Sequence, residues 1–182
     1  MSATLRADAR RNVERVLDAA ISVLGENPNA SIEQIAAASG VHRSTVYRHF
    51  PAREQLIDAL VTRALGELRV LVGAAGRGEL DEPRFRRLCA DAIAAGEQYT
   101  FLLAHIHVSD IGPDPVGLVQ VMRRYQRAHV LRADQAPTWL AAAFTALATA
   151  LFEGWATWSE SPAGAAALLA DTFLAGAGAG AA

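Results

Sequence analysis

The chain has no lysine and a single cysteine, Cys89. With one thiol there can be no disulfide framework within the chain and no thiolate zinc site, and the usage suits a reducing, cytoplasmic compartment. The bland reading of Cys89 is a small core hydrophobe. Without lysine, every fixed side-chain cation is a guanidinium, a planar donor that binds phosphate or guanine bidentately; genomic base composition produces the same bias. The opening MSATLRADARR has no apolar run and reads as no signal peptide. Gln135–Phe152 carries no charge and reaches about the minimum spanning length, but alanine is only weakly apolar, Pro137 and three threonines interrupt the segment, and Glu153 ends it. It is expected to be a helix buried in protein, with no membrane partner.

Enzyme signatures are absent too. There is no G-x-S-x-G, no Walker A and no G-x-G-x-x-G, and the terminal GAGAG has neither a strand before it nor a helix after it. HIHVSD places His105 and His107 two apart, on different sides of a helix, whereas metal pairing on a helix uses i and i+4. No metal, cofactor or catalytic residue is expected. Net charge is −2, and its distribution is only mildly uneven: residues 1–63 hold eight arginines against seven acids, and residues 64–182 nine against twelve. Charge alone decides no partner.

What is present is helical periodicity. Val13, Val16, Leu17, Ala20, Ile21 and Leu24 share one face, and GENPN ends that helix. Ser31 and Gln34 have capping-box spacing ahead of Ile32, Ile35 and Ala36. Ser39–Val41 is a tight turn, with Gly40 free to take positive φ. A short helix over about His42–His49 follows, and Pro51 breaks the chain and opens a long fourth helix. Further helices are predicted around Phe85–Gly96, Tyr99–His107, Val116–Leu131 and Pro137–Trp158, and after Pro162. No alternating strand pattern or internal repeat occurs, so the fold class is all-α with about nine helices. They divide into a three-helix head over residues 1–52 and a helical core over 53–182.

The stretch VHRSTVYRHFPAREQLI, Val41 to Ile57, is polar where its neighbours are apolar. Two short helices across a glycine turn form a helix-turn-helix, whose second helix enters the DNA major groove. Val41, Val46 and Phe50 are placed to anchor that helix inward, leaving Arg43, Ser44, Tyr47 and Arg48 on the remaining surface. Arginine bonds guanine O6 and N7 bidentately and serine bonds several base edges, so Arg43, Ser44 and Arg48 are the candidate base readers. Thr45, Tyr47 and His49 suit phosphate contacts, which set register without reading sequence. Arg53 lies in the first turn of the fourth helix, where a cation opposes the helix dipole, and a nearby phosphate would account for it.

SIEQIAAASGVHRSTVYRHFPAREQLI resembles the DNA-binding segment of the TetR family of bacterial transcriptional regulators, with its I-A-x-x-x-G-V-s-x-x-T-L-Y-x-H-F-x-x-(K/R)-x-x-L pattern. Ile35, Ala36, Gly40, Val41, Thr45, Tyr47, His49, Phe50, Arg53 and Leu56 carry the match over about 27 residues. The resemblance implies that Thr45, Tyr47, His49 and Arg53, with Ser31 at the capped helix, contact phosphates, and that Arg43, Ser44 and Arg48 face bases. His42 replaces the common serine at the start of the reading helix, so its cap is weaker or differently made. Val46 replaces the usual leucine. Glu33 falls near where some relatives contact DNA, and an acid there repels phosphate unless paired. Arg6, Arg10 and Arg11 are either an arm on DNA or a plain exposed first turn.

Beyond the head no motif is diagnostic. The Pro137–Trp158 segment, in which only Glu153 is charged, has too few polar residues to own a solvent face. Its small-residue stripe, Ala146, Ala150 and Gly154, with Leu168 on the last helix, is the expected homodimer contact; the resemblance implies dimerisation through the last two helices. The resemblance also implies a small-molecule site in the core. Its candidate lining begins with Phe85, Cys89, Tyr99, Phe101 and His105. Met122, Tyr125, Trp139, Phe144 and Trp155 complete it, and such a lining suits an apolar or aromatic effector. The expected protein is a cytoplasmic, homodimeric repressor that binds a palindromic double-stranded operator and is released by that effector. The alternative is a constitutive helix-turn-helix binder without an inducer.

Overall fold

The computed structural model describes residues 2–105, 112–159 and 161–178, and their side chains except those of residues 2–6, 103–105, 153 and 155–158. Among the described residues there are eight α-helices and no strand. They are α1 (Ser2–Glu26), α2 (Ile32–Ser39), α3 (Arg43–His49), α4 (Arg53–Ala75) and α5 (Glu82–Tyr99), then α6 (Leu118–Arg127), α7 (Pro137–Trp158) and α8 (Pro162–Ala177). The helix predicted over Tyr99–His107 is a 3-10 segment, Thr100–His105, in the part that is described; His107 lies outside the described residues. By contacts the chain forms two compact units, Met1–Ala64 with Phe101–Ile106, and Leu65–Thr100 with His107–Ala182. The first unit therefore takes in the first half of α4 as well as the three-helix head.

In the first unit, Val16, Leu17, Ala20 and Leu24 of α1 are buried together with Ile32, Ile35 and Ala36 of α2, Val46 and Phe50 around α3, and Leu56, Ile57 and Leu60 of α4. The i, i+3, i+4 spacing read from the sequence is what brings these side chains to one side of each helix. Both ends of α2 are closed. The Ser31 hydroxyl accepts from the Gln34 amide at 3.3 Å, and the Gln34 side chain accepts from the Ser31 amide at 2.7 Å. At the other end Gly40 takes φ 62°, ψ 17°, the left-handed conformation that a glycine adopts without a Cβ penalty. Arg15 Nη2 donates to the Ser39 carbonyl at 2.9 Å, and a Cβ on Gly40 would lie 2.9 Å from that same nitrogen. The Ser39 hydroxyl donates to Ala36 O at 2.8 Å and accepts from the Val41 amide at 3.1 Å, so the turn's polar groups are satisfied within the turn.

The second unit is built around Phe85, which is fully buried. Its ring stacks on Phe173 at 5.4 Å and meets Tyr125 and Phe144 edge-on at 5.3 and 6.1 Å. Edge-to-face and offset contacts suit the ring quadrupoles. The free carbonyls at the end of α4 are taken up locally: Arg84 donates to Ala74 O, Arg124 to Gly76 O at 2.7 Å, and the Tyr125 hydroxyl to Ala75 O at 3.2 Å. Asp81, Asp114 and Ser161 bond the first amides of α5, α6 and α8. No helix of the described residues is long and apolar enough to cross a membrane.

Candidate nucleic-acid interface

The head presents α3 on a short, fixed scaffold. Val46 is fully buried and Phe50 and Val41 nearly so, which leaves Arg43, Ser44 and Arg48 exposed and Thr45, Tyr47 and His49 half-buried. The structure thus gathers the three candidate base readers and three of the candidate phosphate ligands on one seven-residue helix. Ser31 is exposed at the start of α2, where its hydroxyl serves the capping box.

The residues differ in what holds them. Arg48 makes no hydrogen bond or ion pair within the described residues, whereas Arg43 Nη2 lies 2.9 Å from Glu33 Oε1. The Tyr47 hydroxyl donates to that same carboxylate oxygen. The Arg43 guanidinium carbon also stands 5.2 Å from the centre of the Tyr47 ring, within cation–π range. The Tyr47 hydrogen bond, helped by the Arg43 charge, holds the Glu33 carboxyl below the usual range and raises the Tyr47 phenol above its own. Glu33 is therefore a carboxylate and Tyr47 a phenol throughout the neutral range. The acid that the sequence leaves unexplained is paired twice.

His42 caps α3 through its ring. Nδ1 accepts from the Ser44 amide at 3.3 Å and is 2.8 Å from the Ser44 hydroxyl. The imidazole does the work of the serine it replaces, and it also engages the hydroxyl of a candidate base reader. His49 Nε2 is buried without a hydrogen-bond partner among the described residues.

Arg53 has protein partners that the helix-dipole argument did not foresee. Its guanidinium donates to the carbonyls of Ala30 and Pro28 and ties the start of α4 to the α1–α2 loop. Those carbonyls offset the unfavourable dipole at that first turn. Sequence reasoning did not single out Arg15, which braces the turn, because a side-chain bond to a carbonyl 24 residues away leaves no periodic trace. Arg10 and Arg11 are exposed on α1, with Arg11 paired to Asp8, and the Arg6 side chain lies outside those described.

The candidate pocket residues divide three ways. Phe85, Cys89, Met122, Tyr125 and Phe144 are buried in the core of the second unit, the ring of Phe85 meeting those of Tyr125 and Phe144. Burial pushes the Cys89 thiol and the Tyr125 phenol up to about 12. Trp139 is 60% exposed on α7 and Phe101 is half-buried in the 3-10 segment. The side chains of His105 and Trp155 lie outside those described. A groove of about 310 Å³ does run along α4 and α5, lined by Glu67, Leu68, Leu71, Asp91, Ala94, Ala95, Gln98 and Tyr99. Of the ten candidates it shares only Tyr99, whose hydroxyl donates to Glu67 at 2.7 Å. Of the residues expected at a dimer contact, Ala146, Ala150 and Leu168 are exposed and Gly154 is half-buried at a kink in α7. No group of three or more metal-ligating side chains occurs among the described residues.

A capped α2, a left-handed glycine turn and a donor-rich α3 anchored by buried Val46 make this a helix-turn-helix protein of the DNA-binding regulators. Residues 16–60 match the profile of the bacterial regulatory proteins of the tetR family. The chain is 32% identical over 164 residues, covering 84% of each sequence, to the HTH-type transcriptional repressor LfrR of Mycolicibacterium smegmatis. It belongs to the TetR family, and is accordingly a transcriptional regulator and not an enzyme. Among solved structures it is similar to the TetR-like regulator LfrR from Mycobacterium smegmatis in complex with proflavine: TM-score 0.72, 27% identity, covering 92% of this chain and 97% of that one. SmeT, the repressor of the Stenotrophomonas maltophilia multidrug efflux pump SmeDEF, shares the fold at a TM-score of 0.69 and 20% identity, covering 91% and 90%.

Proposed function

We propose that the chain is a homodimeric transcriptional repressor. Its head, residues 1–52, binds a palindromic DNA operator, and its core, residues 53–182, dimerises and takes up a small apolar or aromatic effector that releases the DNA. The observation that carries the DNA-binding part is the face of α3: Arg43, Ser44 and Arg48 stand exposed beside Thr45, Tyr47 and His49, while Val46 and Phe50 fix the helix from beneath. In this reading the first three read bases. Ser31, Thr45, Tyr47 and His49 contact phosphates, with Arg53 joining them beyond its carbonyl ties. A cytoplasmic location follows from a DNA target.

A palindrome needs a two-fold protein. Trp139, Ala142, Ala146 and Ala150 put an apolar, largely small-residue stripe on the exposed face of α7, and Leu168 is 39% exposed on α8. Such a contiguous apolar surface favours a second copy. Two reading helices would then sit about 34–36 Å apart, one turn of DNA, or at a related spacing.

The effector reading is supported by the proflavine complex of LfrR and by the aromatic content of the second unit. An effector acts only through unequal affinity for the two states; to move 1:99 to 99:1 it must prefer one by about 5.5 kcal/mol. One observation favours the constitutive alternative: Phe85 packs against Tyr125, Phe144 and Phe173, and Phe144 against Phe173. Heat-stability shifts across a panel of aromatic compounds separate the two, a saturable shift supporting induction and none supporting constitutive binding. The function as a whole is tested by selecting genomic fragments with the purified protein. Recovery of one inverted-repeat sequence is expected, and recovery of fragments without a shared site would overturn the operator reading.

A further inference from the structure

Two donors on the reading helix share one acceptor. Glu33 Oε1 receives both Arg43 Nη2, at 2.9 Å, and the Tyr47 hydroxyl, and the guanidinium lies over the Tyr47 ring. The side chains of Arg43 and Glu33 keep 66% and 45% of their exposure, so the cluster stands at the surface where DNA would arrive. A shallow groove beside it is lined by Glu33, Ala36, Ala37, Val41 and Arg43. Arg48, one turn further along α3, makes no hydrogen bond or ion pair within the described residues. The two arginines of the same helix therefore meet DNA in different states.

We propose that Glu33 is a specificity-determining residue of the DNA-binding head, orienting the Arg43 guanidinium toward a guanine edge, withholding Arg43 from the phosphate backbone and letting Tyr47 reach a phosphate only by giving up Glu33. The inference rests on the DNA-binding reading above. A flexible arginine near a duplex is drawn to the nearest phosphate, a contact that carries no sequence information. Arg43 is instead held by one nitrogen and by the ring beneath it. The guanidinium has five N–H donors, so the two needed for guanine O6 and N7 remain. The Tyr47 proton is spent on Glu33, and a phosphate has to displace a carboxylate to obtain it. Glu33 stays ionised at neutral pH because that hydrogen bond and the Arg43 charge favour the carboxylate, and its charge opposes every phosphate nearby. In a cognate complex the guanine edge compensates Arg43; on other DNA nothing does, and only the repulsion is left. Specificity is a difference of affinities, and a repulsive group that falls harder on the wrong partner increases it.

The test uses the full chain as wild type, Glu33→Gln and Glu33→Ala. Each is titrated against the selected operator duplex and a scrambled duplex of equal length over a range of potassium chloride. The glutamine keeps shape and an acceptor but loses the charge; both variants change an exposed side chain, and urea unfolding confirms the fold of each. Glu33→Gln is expected to bind scrambled DNA several-fold more tightly, with the operator-to-scrambled ratio falling by about tenfold. Its logarithmic salt slope on scrambled DNA should steepen by about one, because one uncompensated cation is added. Preference for guanine at one operator position should relax, a change that a merely structural role for Glu33 would not produce. If wild type prefers its operator and both variants keep the same ratio and slope, Glu33 determines nothing and the inference falls alone. If wild type binds neither duplex at the lowest salt, the DNA-binding reading falls and takes the inference with it.

Discussion

The imidazole of His42 accepts the backbone N–H of Ser44 across 3.3 Å and closes the first turn of α3. An α3 of seven residues has few hydrogen bonds of its own, so one satisfied amide at its start matters more than in a long helix.

His42→Ala should therefore destabilise the chain by about 1 kcal/mol, the ordinary cost of losing an N-cap side chain. His42→Ser should restore most of that loss, since a serine hydroxyl reaches the same amides. Urea unfolding of the three proteins measures both. Equal midpoints for wild type and His42→Ala would show that the ring is not the cap.

Arg53 carries a different expectation. Its bonds to Ala30 O and Pro28 O join α4 to the loop before α2. Arg53→Ala should cost about 1.5–3 kcal/mol of stability, the range for hydrogen bonds to a charged group. DNA affinity should fall alike on all sequences, since the residue positions the head and reads no base. Arg53→Lys keeps the charge but loses the planar fork, so it should recover salt dependence more fully than stability. A variant as stable as wild type that lost only salt dependence would make Arg53 a phosphate ligand alone.

How much of this the residues foretold depends on the range of the interaction. The α2 cap, the Gly40 turn and the inward Val46 and Phe50 are contacts between near neighbours, and spacing in the chain reports them directly. The helices from Glu82 to Tyr99 and from Pro137 to Trp158 follow from their apolar periodicity and their prolines. What spacing did not report are the bonds that reach across the fold: Arg15 to Ser39, Arg53 to Pro28, Glu33 to Tyr47. The candidate pocket shows the same limit in reverse. Aromatic content marks Phe85, Tyr125 and Phe144 as belonging together, but content cannot say whether rings line a space or fill it, and here they pack on one another.

Burial of Cys89 and Tyr125 predicts a direction with pH. The thiol is pushed from an ordinary value of 9.0 to about 12, and the phenol from 10.0 to about 12, both chiefly by loss of hydration of the charged form. The folded chain then keeps protons that the unfolded chain releases. The stability tied to these groups is intact below the unfolded values and is lost as pH rises through the folded ones. Stability should fall progressively above the ordinary value of each group, and faster once both titrate in the unfolded chain. Urea unfolding at pH 8, 9.5 and 11 (arbitrary points, roughly spanning the window) should show no loss at the first and a growing loss after it. In the folded state at the first of these, Cys89 should resist iodoacetamide and react once the chain is unfolded. Labelling at the unfolded rate would show that the thiol is not enclosed.

The exposed stripe on α7 gives the strongest test of assembly. Ala146 and Ala150 are exposed, so a larger side chain at either meets solvent in a lone chain but a second backbone in a dimer packed on that face. Ala150→Arg should lower the mass seen by light scattering from two chains to one and weaken operator binding, since a single head spans only half a palindrome. Binding to an isolated half-site should change little, because the head is untouched. Ala90→Arg, at an exposed position on α5, controls for the added charge and should remain two chains. If Ala150→Arg stays dimeric with full operator affinity, dimerisation does not use this face, and the exposure of Trp139 needs another partner.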